Sequence, residues 1–206
     1  MSTTFYVYPS KQYIPTFREL LDFSNKRIAE HLSYLGLSTR VCLKVEIRNI
    51  RNHSKVVLDL DDKVIWNEDS YAWFYFDGIA GGTDVYYNRT TELDKETWID
   101  EFKTNIKAQQ LHDSINNSME IGYYWSFRRS AGQSGIINLS YGLIAASLAK
   151  ITDGFIYSDD GAWDYNCFPA LADDFFVWYF KPEFAANSDD KKWTQDCIKS
   201  IQEELK

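Results

Sequence analysis

The spacing of apolar residues predicts a strand and then a long helix at the start of the chain. Phe5 and Val7 fall at alternating positions, which indicates a short first strand. Thr16 and Glu19 have the spacing of a capping box, in which the two residues satisfy each other's backbone amides. We therefore expect a helix that begins here and ends at Gly36. Its predicted buried positions are Phe17, Leu20, Leu21, Ile28, Leu32 and Leu35.

The middle of the chain has the pattern of consecutive strands. Residues 41–47 alternate between apolar and polar side chains, which predicts a strand with one buried face. Further strand candidates are residues 56–60, 64–66, 71–76 and 85–87. Because their connections are too short for helical crossovers, the sequence predicts an antiparallel meander. The strand at 71–76 is aromatic on both faces, which favours burial or, if one face is exposed, a protein interface.

Helices are predicted after this run of strands. Residues 94–110 form an amphipathic pattern, and a strand follows at 119–128. Residues 136–150 are apolar nearly all round, so this helix is expected at the centre of the molecule. The last helix is expected to begin at Ser188, where two aspartates lie favourably near its N-terminal dipole.

Between the central and the last helix, the pattern predicts a hairpin and a further helix. Residues 155–157 and 163–165 resemble two short strands about Asp160 and Gly161, a favoured turn pair. Pro169 suits the first turn of the helix that follows, because proline has no amide hydrogen to leave unsatisfied there.

The order of these elements predicts the fold class. Strands come as a run, with helices before and after them, and this order favours an α+β fold with an antiparallel sheet and helices packed against it. The chain has 206 residues, no internal repeat and no obvious linker, so we expect one domain over residues 1–206. Its aromatic content of 17% is ample for a hydrophobic core.

Composition narrows the classes of partner. The formal net charge is −8, whereas binding to nucleic acid needs clustered Lys and Arg that replace phosphate counterions. An anionic membrane surface would also repel the chain. A basic protein partner would be attracted, with faster encounter at low salt. We therefore predict a protein partner that is basic, and neither nucleic acid nor membrane; the sequence leaves the oligomeric state open.

Cysteine usage and the termini indicate a cytoplasmic protein. Cys42, Cys167 and Cys197 are odd in number and far apart, so neither a disulfide framework nor a zinc site is expected, and the thiols should be reduced and buried. The N-terminal residues lack the regions of a signal peptide. No apolar run approaches the length of a membrane span.

Carboxylates and aromatic residues cluster in sequence after the central helix, and this group is the main candidate site. Its residues are Asp159, Asp160, Trp163, Asp164, Tyr165, Asp173, Asp174 and Trp178. Calcium is one reading, but the EF-hand spacing is absent. The others are a carboxylate pair for glycoside hydrolysis, a patch for a basic partner with Trp163, Tyr165 and Trp178 as anchors, or turn and helix-start residues without further role.

A second candidate is an anion site before the central helix. Arg128 and Arg129 precede a loop, and Ser134 stands where free amides of a helix N-terminus follow. Alternatively, the arginines pair with acids of the chain and Ser134 is a helix cap. The nucleophile-elbow pattern G-x-S-x-G fails at its first position. Neither His31 nor another histidine has ligand spacing, so no catalytic residue, metal or cofactor is predicted.

The segment from residue 143 to 163 resembles a pattern in bacterial immunity-type families of polymorphic toxin systems. The pattern is an alanine-rich helix, then T-x-G, two hydrophobic residues and Tyr, an acidic turn and Trp. The matching residues are Ala145, Ala146, Ala149, Thr152, Gly154, Ile156, Tyr157, Asp160 and Trp163. The resemblance implies a single-domain, acidic, cytoplasmic α+β protein without catalysis that binds a cognate toxin.

Together these observations favour a non-catalytic protein-binding domain, and more specifically an immunity protein that neutralises a basic toxin by occlusion. Aromatic anchors surrounded by carboxylates would then cover the active groove of the toxin. Two alternatives stay open. One is a small hydrolase that uses an aspartate pair, which requires a pocket with two carboxylates and one raised pKa. The other is a sensor that binds a small ligand in an aromatic cavity.

Overall fold

The computed structural model describes residues 2–37 and 41–205. In this part of the chain, seven α-helices accompany one eight-stranded sheet, which confirms the predicted α+β class. The strands are β1 (Thr3–Tyr8), β2 (Leu43–Asn49), β3 (Lys55–Val56), β4 (Ser70–Phe76), β5 (Thr83–Arg89), β6 (Tyr123–Arg129), β7 (Phe155–Tyr157) and β8 (Ala170–Leu171). The helices are α1 (Phe17–Tyr34), α2 (Glu92–Thr104), α3 (Ile106–Gln110), α4 (His112–Ile121), α5 (Gly135–Ile151), α6 (Ala172–Trp178) and α7 (Ser188–Glu204).

Every neighbouring pair of strands in the sheet is antiparallel, in the order β3-β2-β4-β5-β6-β1-β7-β8. The predicted meander is confirmed in part, because the consecutive strands β2 and β3 pair, as do β4 and β5, but β4 pairs with β2 and not with β3. The N-terminal strand β1 lies between β6 and β7, where Phe5 opposes Phe127 and Tyr6 opposes Tyr157. Strand β1 therefore joins β6 to β7, and both of these strands are far from β1 in sequence.

Helix α5 lies at the centre of the core, as its apolar composition predicts. Its residues from Gly135 to Ala149 are all buried. It packs on β1, β6 and β7, and helices α1, α6 and α7 pack against it. The ring of Phe5 stacks on that of Tyr141 with centroids 4.8 Å apart, and the indole of Trp125 donates a hydrogen bond of 2.8 Å to the carbonyl of Val64.

Helix α1 begins with the predicted capping box. The Thr16 hydroxyl accepts the amide of Glu19, and the Glu19 carboxylate accepts the amide of Thr16. The amides of Phe17 and Arg18 donate to the carbonyls of Asp62 and Leu60. The carbonyls of Leu60 and Asp62 therefore satisfy two of the free amides of this helix start.

Two strand predictions fail in residues 57–66, because the backbone of this segment pairs with the start of α1 and not with a neighbouring strand. Residues 64–66 form no strand, and of residues 56–60 only Val56 belongs to one.

The long helix predicted over residues 94–110 is also broken. Asn105 ends α2, and its side-chain oxygen accepts the amides of Lys107 and Ala108 at the start of α3. The strand expected from residue 119 begins at Tyr123, because α4 continues to Ile121.

The second face of the sheet carries charged and aromatic side chains. Glu46 is only 8% exposed, and its carboxylate pairs with Arg48 and Lys55 at 2.5 Å each. Burial opposes ionisation, but the hydrogen bonds from Lys55 and Arg48 outweigh it and lower the pKa of Glu46. The Arg48 guanidinium lies 4.7 Å from the ring centroid of Trp73. The buried charge of Glu46 is thus matched by opposite charge.

Candidate functional site

The acidic loop, defined as residues 158–164, is not the tip of a two-stranded hairpin. Strand β7 pairs with β1 on one side and with β8 on the other, and residues 163–165 form no strand. Trp163 instead packs inward, with its ring 6.1 Å from that of Trp178 and 5.5 Å from that of Tyr179. Asp164 caps a short 3-10 turn by accepting the amide of Asn166 at 3.0 Å.

A related prediction, that Pro169 lies in the first turn of a helix, is also wrong. Helix α6 begins at Ala172, and the residues between Pro169 and this helix form β8. Pairing of Ala170 and Leu171 with β7 occupies the backbone groups that a helix start would need.

The predicted carboxylates divide into two groups. Asp159 and Asp160 lie on the acidic loop, and Asp160 accepts a hydrogen bond from the Ser158 hydroxyl at 3.2 Å. Asp173, at the start of α6 beside Asp174, forms an ion pair of 2.7 Å with Lys150. Asp159 and Asp160 therefore remain the candidate partner-binding carboxylates of the loop, and Asp173 belongs to an ion pair within the chain.

The two groups lie at opposite ends of the central helix. Lys150 is in the last turn of α5, whereas Asp160 lines a cavity with Arg129, which is hydrogen-bonded to Asn138 in the first turn of α5. The rise of an α-helix places positions 138 and 150 about 18 Å apart. The structure therefore does not gather the five predicted aspartates into one patch.

The three predicted aromatic anchors are less available than the sequence suggests. Trp163 is only 9% exposed and belongs to the core, and Trp178 is half-buried. Tyr165 is 43% exposed, but its hydroxyl donates to the Glu101 carboxylate at 2.7 Å. Trp163 therefore packs beneath the acidic loop and is not an exposed anchor.

Glu101, on α2, is a residue that the sequence analysis missed. Its carboxylate accepts hydrogen bonds from Tyr157 at 2.8 Å, from Tyr165 and from the Asn105 amide. Burial is the main cause that raises the pKa of Tyr157 far above its usual value, and the hydrogen bond to Glu101 raises it further. Glu101 thereby ties α2 to the segment that carries the acidic loop. Its position in an amphipathic helix gives no signal for this role.

The electrostatics of the loop are those of uncompensated negative charge. Partial burial is the main cause that raises the pKa of Asp159, and the neighbouring charges of Asp160 and Glu101 raise it further, against a hydrogen bond to its own backbone. Burial and then the charges of Asp159 and Asp160 raise the pKa of Tyr6. Within residues 2–37 and 41–205, no basic nitrogen lies within 4.0 Å of the carboxylates of Asp159 or Asp160.

The three residues of the predicted anion site do not converge. Arg128 is exposed and Arg129 is 8% exposed, because successive side chains of β6 point to opposite faces. Ser134 is a helix cap that accepts the amide of Ile137 at 3.5 Å. The first amides of α5 are not free either: Glu204 accepts them from Gly135 at 2.9 Å and from Ile136 at 3.2 Å.

This contact leads to a prediction about stability. The carboxylate of Glu204 both caps α5 and places negative charge at the positive end of its dipole. We expect Glu204→Gln to lower the free energy of unfolding by about 1 kcal/mol, measured by urea denaturation. Glu203→Gln, at the exposed neighbouring position, removes the same charge without the cap and should change it by a few tenths at most. Equal effects of the two substitutions would contradict the capping role.

Beside the acidic loop lies a cavity of about 370 Å³. It is bounded by the end of the β1–β6 pair, by the loop that follows β6, and by the first turns of α7. The side chains that matter for its chemistry are Thr3, Arg129, Asp160, Trp163, Asp190 and Trp193. Asp190 and Trp193 were missed as site residues. Their spacing of three places them on one helix face, but no local signal places α7 beside this loop.

Fold and site define an α+β protein with a cavity at one end of its antiparallel sheet, edged by carboxylates and indole rings. Comparison of the chain with protein-family models, with curated proteins and with solved structures gave no match in any of the three. The resemblance to immunity-type families over residues 143–163 therefore stays a hypothesis.

Several other features bear on function. No group of three or more metal-binding side chains occurs within the described residues, and none of the helices described is both long and apolar enough to cross a bilayer. The three cysteines are free. Cys197 is buried, Cys167 is half-buried and Cys42 is exposed, so the expectation of buried thiols holds for Cys197 alone.

Proposed function

We propose that this chain is a binding domain that receives a positively charged partner protein at its acidic loop. The observation that carries the proposal is the pair Asp159 and Asp160, which stand together without a basic side chain within 4.0 Å in the described part of the chain. The buried carboxylate of Glu46, by contrast, is matched by Arg48 and Lys55.

A cationic group on the partner would relieve the mutual repulsion of these carboxylates. Partial burial and the charge of Asp160 already raise the pKa of Asp159, so its ionised form is destabilised in the free protein. A Lys or Arg of the partner would favour the ionised form and would be bound more tightly for that reason. Tyr165, which is exposed and fixed by Glu101, provides an ordered ring next to the loop.

The more specific form of the proposal is an immunity protein that occludes a basic toxin. The net charge of −8 and the pattern of residues 143–163 support it. Negative charge over the surface would accelerate encounter with a basic toxin, and the acidic loop would be the point of contact. The burial of Trp163 removes it from the set of direct anchors, so occlusion would depend on the carboxylates and Tyr165.

The test is capture of a partner from the native host on the immobilised full chain. We expect a basic protein whose retention falls by about tenfold between low and physiological salt, because exposed charges are screened. The variant Asp159→Asn/Asp160→Asn should abolish retention. The matched control Asp173→Asn/Asp174→Asn removes equal charge at the other end of α5 and should retain the partner. Absence of a partner, insensitivity to salt, or equal retention by Asp159→Asn/Asp160→Asn would overturn the proposal.

Coexpression separates immunity from binding in general. Host cells that produce the captured protein together with this chain should grow, and cells with the Asp159→Asn/Asp160→Asn variant should arrest. Growth that does not depend on this chain would contradict the immunity role and leave the binding role in place.

The second candidate function is a hydrolase, and the observation that favours it is that Asp160 and Asp190 line one cavity. However, neither of the two aspartates whose pKa is raised, Asp84 and Asp159, lines that cavity. The required combination of two carboxylates and one raised pKa is therefore split between the cavity and its surroundings.

A further inference from the structure

The cavity beside the acidic loop contains a buried arginine without a counter-ion. Arg129 is 8% exposed, and its guanidinium donates to the Thr3 hydroxyl at 3.0 Å and to the Asn138 side-chain oxygen at 2.7 Å. The rings of Tyr141 and Trp193 each lie 5.3 Å from its central carbon. All of these partners are neutral, and no carboxylate of the described chain lies within 4.0 Å of the guanidinium.

This arrangement is unusual for a structural arginine. Arginines are seldom buried to this extent unless they are paired, because an uncompensated buried charge is strongly unfavourable. The same protein matches buried Glu46 with two basic side chains. Thr3 and Asn138 fix the position of the Arg129 guanidinium without cancelling its charge, so positive charge remains at the cavity wall.

Two carboxylates at the same cavity are likewise fixed by neutral groups. Asp160 accepts from the Ser158 hydroxyl at 3.2 Å, and Asp190 accepts from the Asn187 amide at 2.7 Å. Because neither approaches Arg129 within 4.0 Å, positive and negative charges are held apart across the cavity instead of closing into an ion pair. The cavity has a volume of about 370 Å³, and the indoles of Trp163 and Trp193 form part of its lining.

We propose that this cavity binds a small zwitterion, such as a free α-amino acid or a short peptide, with its carboxylate at Arg129 and its ammonium at Asp160 and Asp190. A planar guanidinium is suited to a carboxylate, and the two aspartates complement an ammonium group. The indoles would cover the apolar part of the ligand. The inference goes beyond the proposed function, since it concerns a small ligand and not a protein partner.

The experiment is a calorimetric titration of the purified full chain with each standard free amino acid and with glycylglycine, up to about 10 mM. We expect binding by at least one of these probes. Its carboxamide lacks the group for Arg129, and its N-acetyl derivative lacks the group for the aspartates, so both should bind at least about tenfold more weakly. Failure of all probes, or equal binding of the carboxamide, would overturn the proposal.

Variants assign the charges to the named residues. Arg129→Lys and Asp190→Asn should each weaken binding by about tenfold or more. The matched controls Arg128→Lys and Asp189→Asn change the adjacent exposed residues and should leave affinity unchanged. If Arg129→Lys does not fold, Asp190→Asn and the two ligand derivatives still decide the question. The assignment would be contradicted if Arg128→Lys weakened binding as much as Arg129→Lys. The same holds if Asp189→Asn weakened it as much as Asp190→Asn. Because the titration needs no protein partner, its outcome is independent of the capture experiment.

Discussion

Gly154→Ala is expected to lower the free energy of unfolding by about 3 kcal/mol or more, because the added methyl group would overlap with backbone atoms of a neighbouring strand. A methyl group on Gly154 would lie 2.0 Å from the carbonyl oxygen of Tyr8. Neither atom can rotate away, since Tyr8 pairs with Phe155 in the β1–β7 ladder. The strands would have to separate and lose hydrogen bonds at the centre of the fold. Urea denaturation followed by circular dichroism measures the change.

The control for this substitution is Gly161→Ala in the acidic loop. Gly161 has a φ of +81°, and an added methyl group there would meet nothing within 4 Å. Its cost should therefore be about 1 kcal/mol, which is the cost of a left-handed conformation in a residue with a Cβ atom. A Gly154→Ala protein as stable as Gly161→Ala would show that β1 and β7 are not packed as described.

The stability of the protein is expected to fall by about 3 kcal/mol between pH 6.5 and pH 4 because of His31. Burial, and next the charge of Lys181, lower the pKa of His31 to about 4, although a hydrogen bond with the Phe180 backbone and the charge of Glu183 oppose this. Above pH 6.5 the imidazole is neutral in both states and stability is full. Below it, only the unfolded chain takes up the proton, so stability is lost until the folded state also titrates.

Urea denaturation at several pH values tests this prediction. Carboxylates titrate in an overlapping range, so the informative quantity is the difference between the wild type and His31→Gln. The variant should lose about 1.4 kcal/mol less per pH unit than the wild type in this window. His112→Gln, at an exposed position, should keep the slope of the wild type. An unchanged slope in His31→Gln would refute a neutral, buried imidazole.

Elements that depend on local patterns could be predicted from the sequence. The capping box at Thr16 and Glu19 marks the start of α1, and the uninterrupted apolar composition of α5 places it in the core. In each of these cases the physical cause lies within a few residues of the effect.

Features that depend on distant pairing could not be predicted in this way. Asp160 and Gly161 are a favoured turn pair, yet the partners of β7 are β1 and β8. Nothing near residue 155 in the sequence indicates pairing with Tyr6 or Tyr8. The same applies to the cavity, because Thr3 and Asp190 come from the two ends of the chain.

One error concerned adjacent residues and was avoidable in principle. Arg128 and Arg129 were treated as a pair, although residues next to each other in a strand face opposite sides of the sheet. The predicted strand ended at Arg128, and the observed strand ends at Arg129. This difference of one residue concealed that only Arg129 enters the cavity.

The position of β1 has a consequence for biosynthesis. This strand leaves the ribosome before its two neighbours, which comprise Tyr123–Arg129 and Phe155–Tyr157. Closing such long loops has a large entropic cost, which slows folding. Nascent chains that end before residue 155 therefore have an unpaired edge on β1, and the sheet cannot close before β7 has been synthesised.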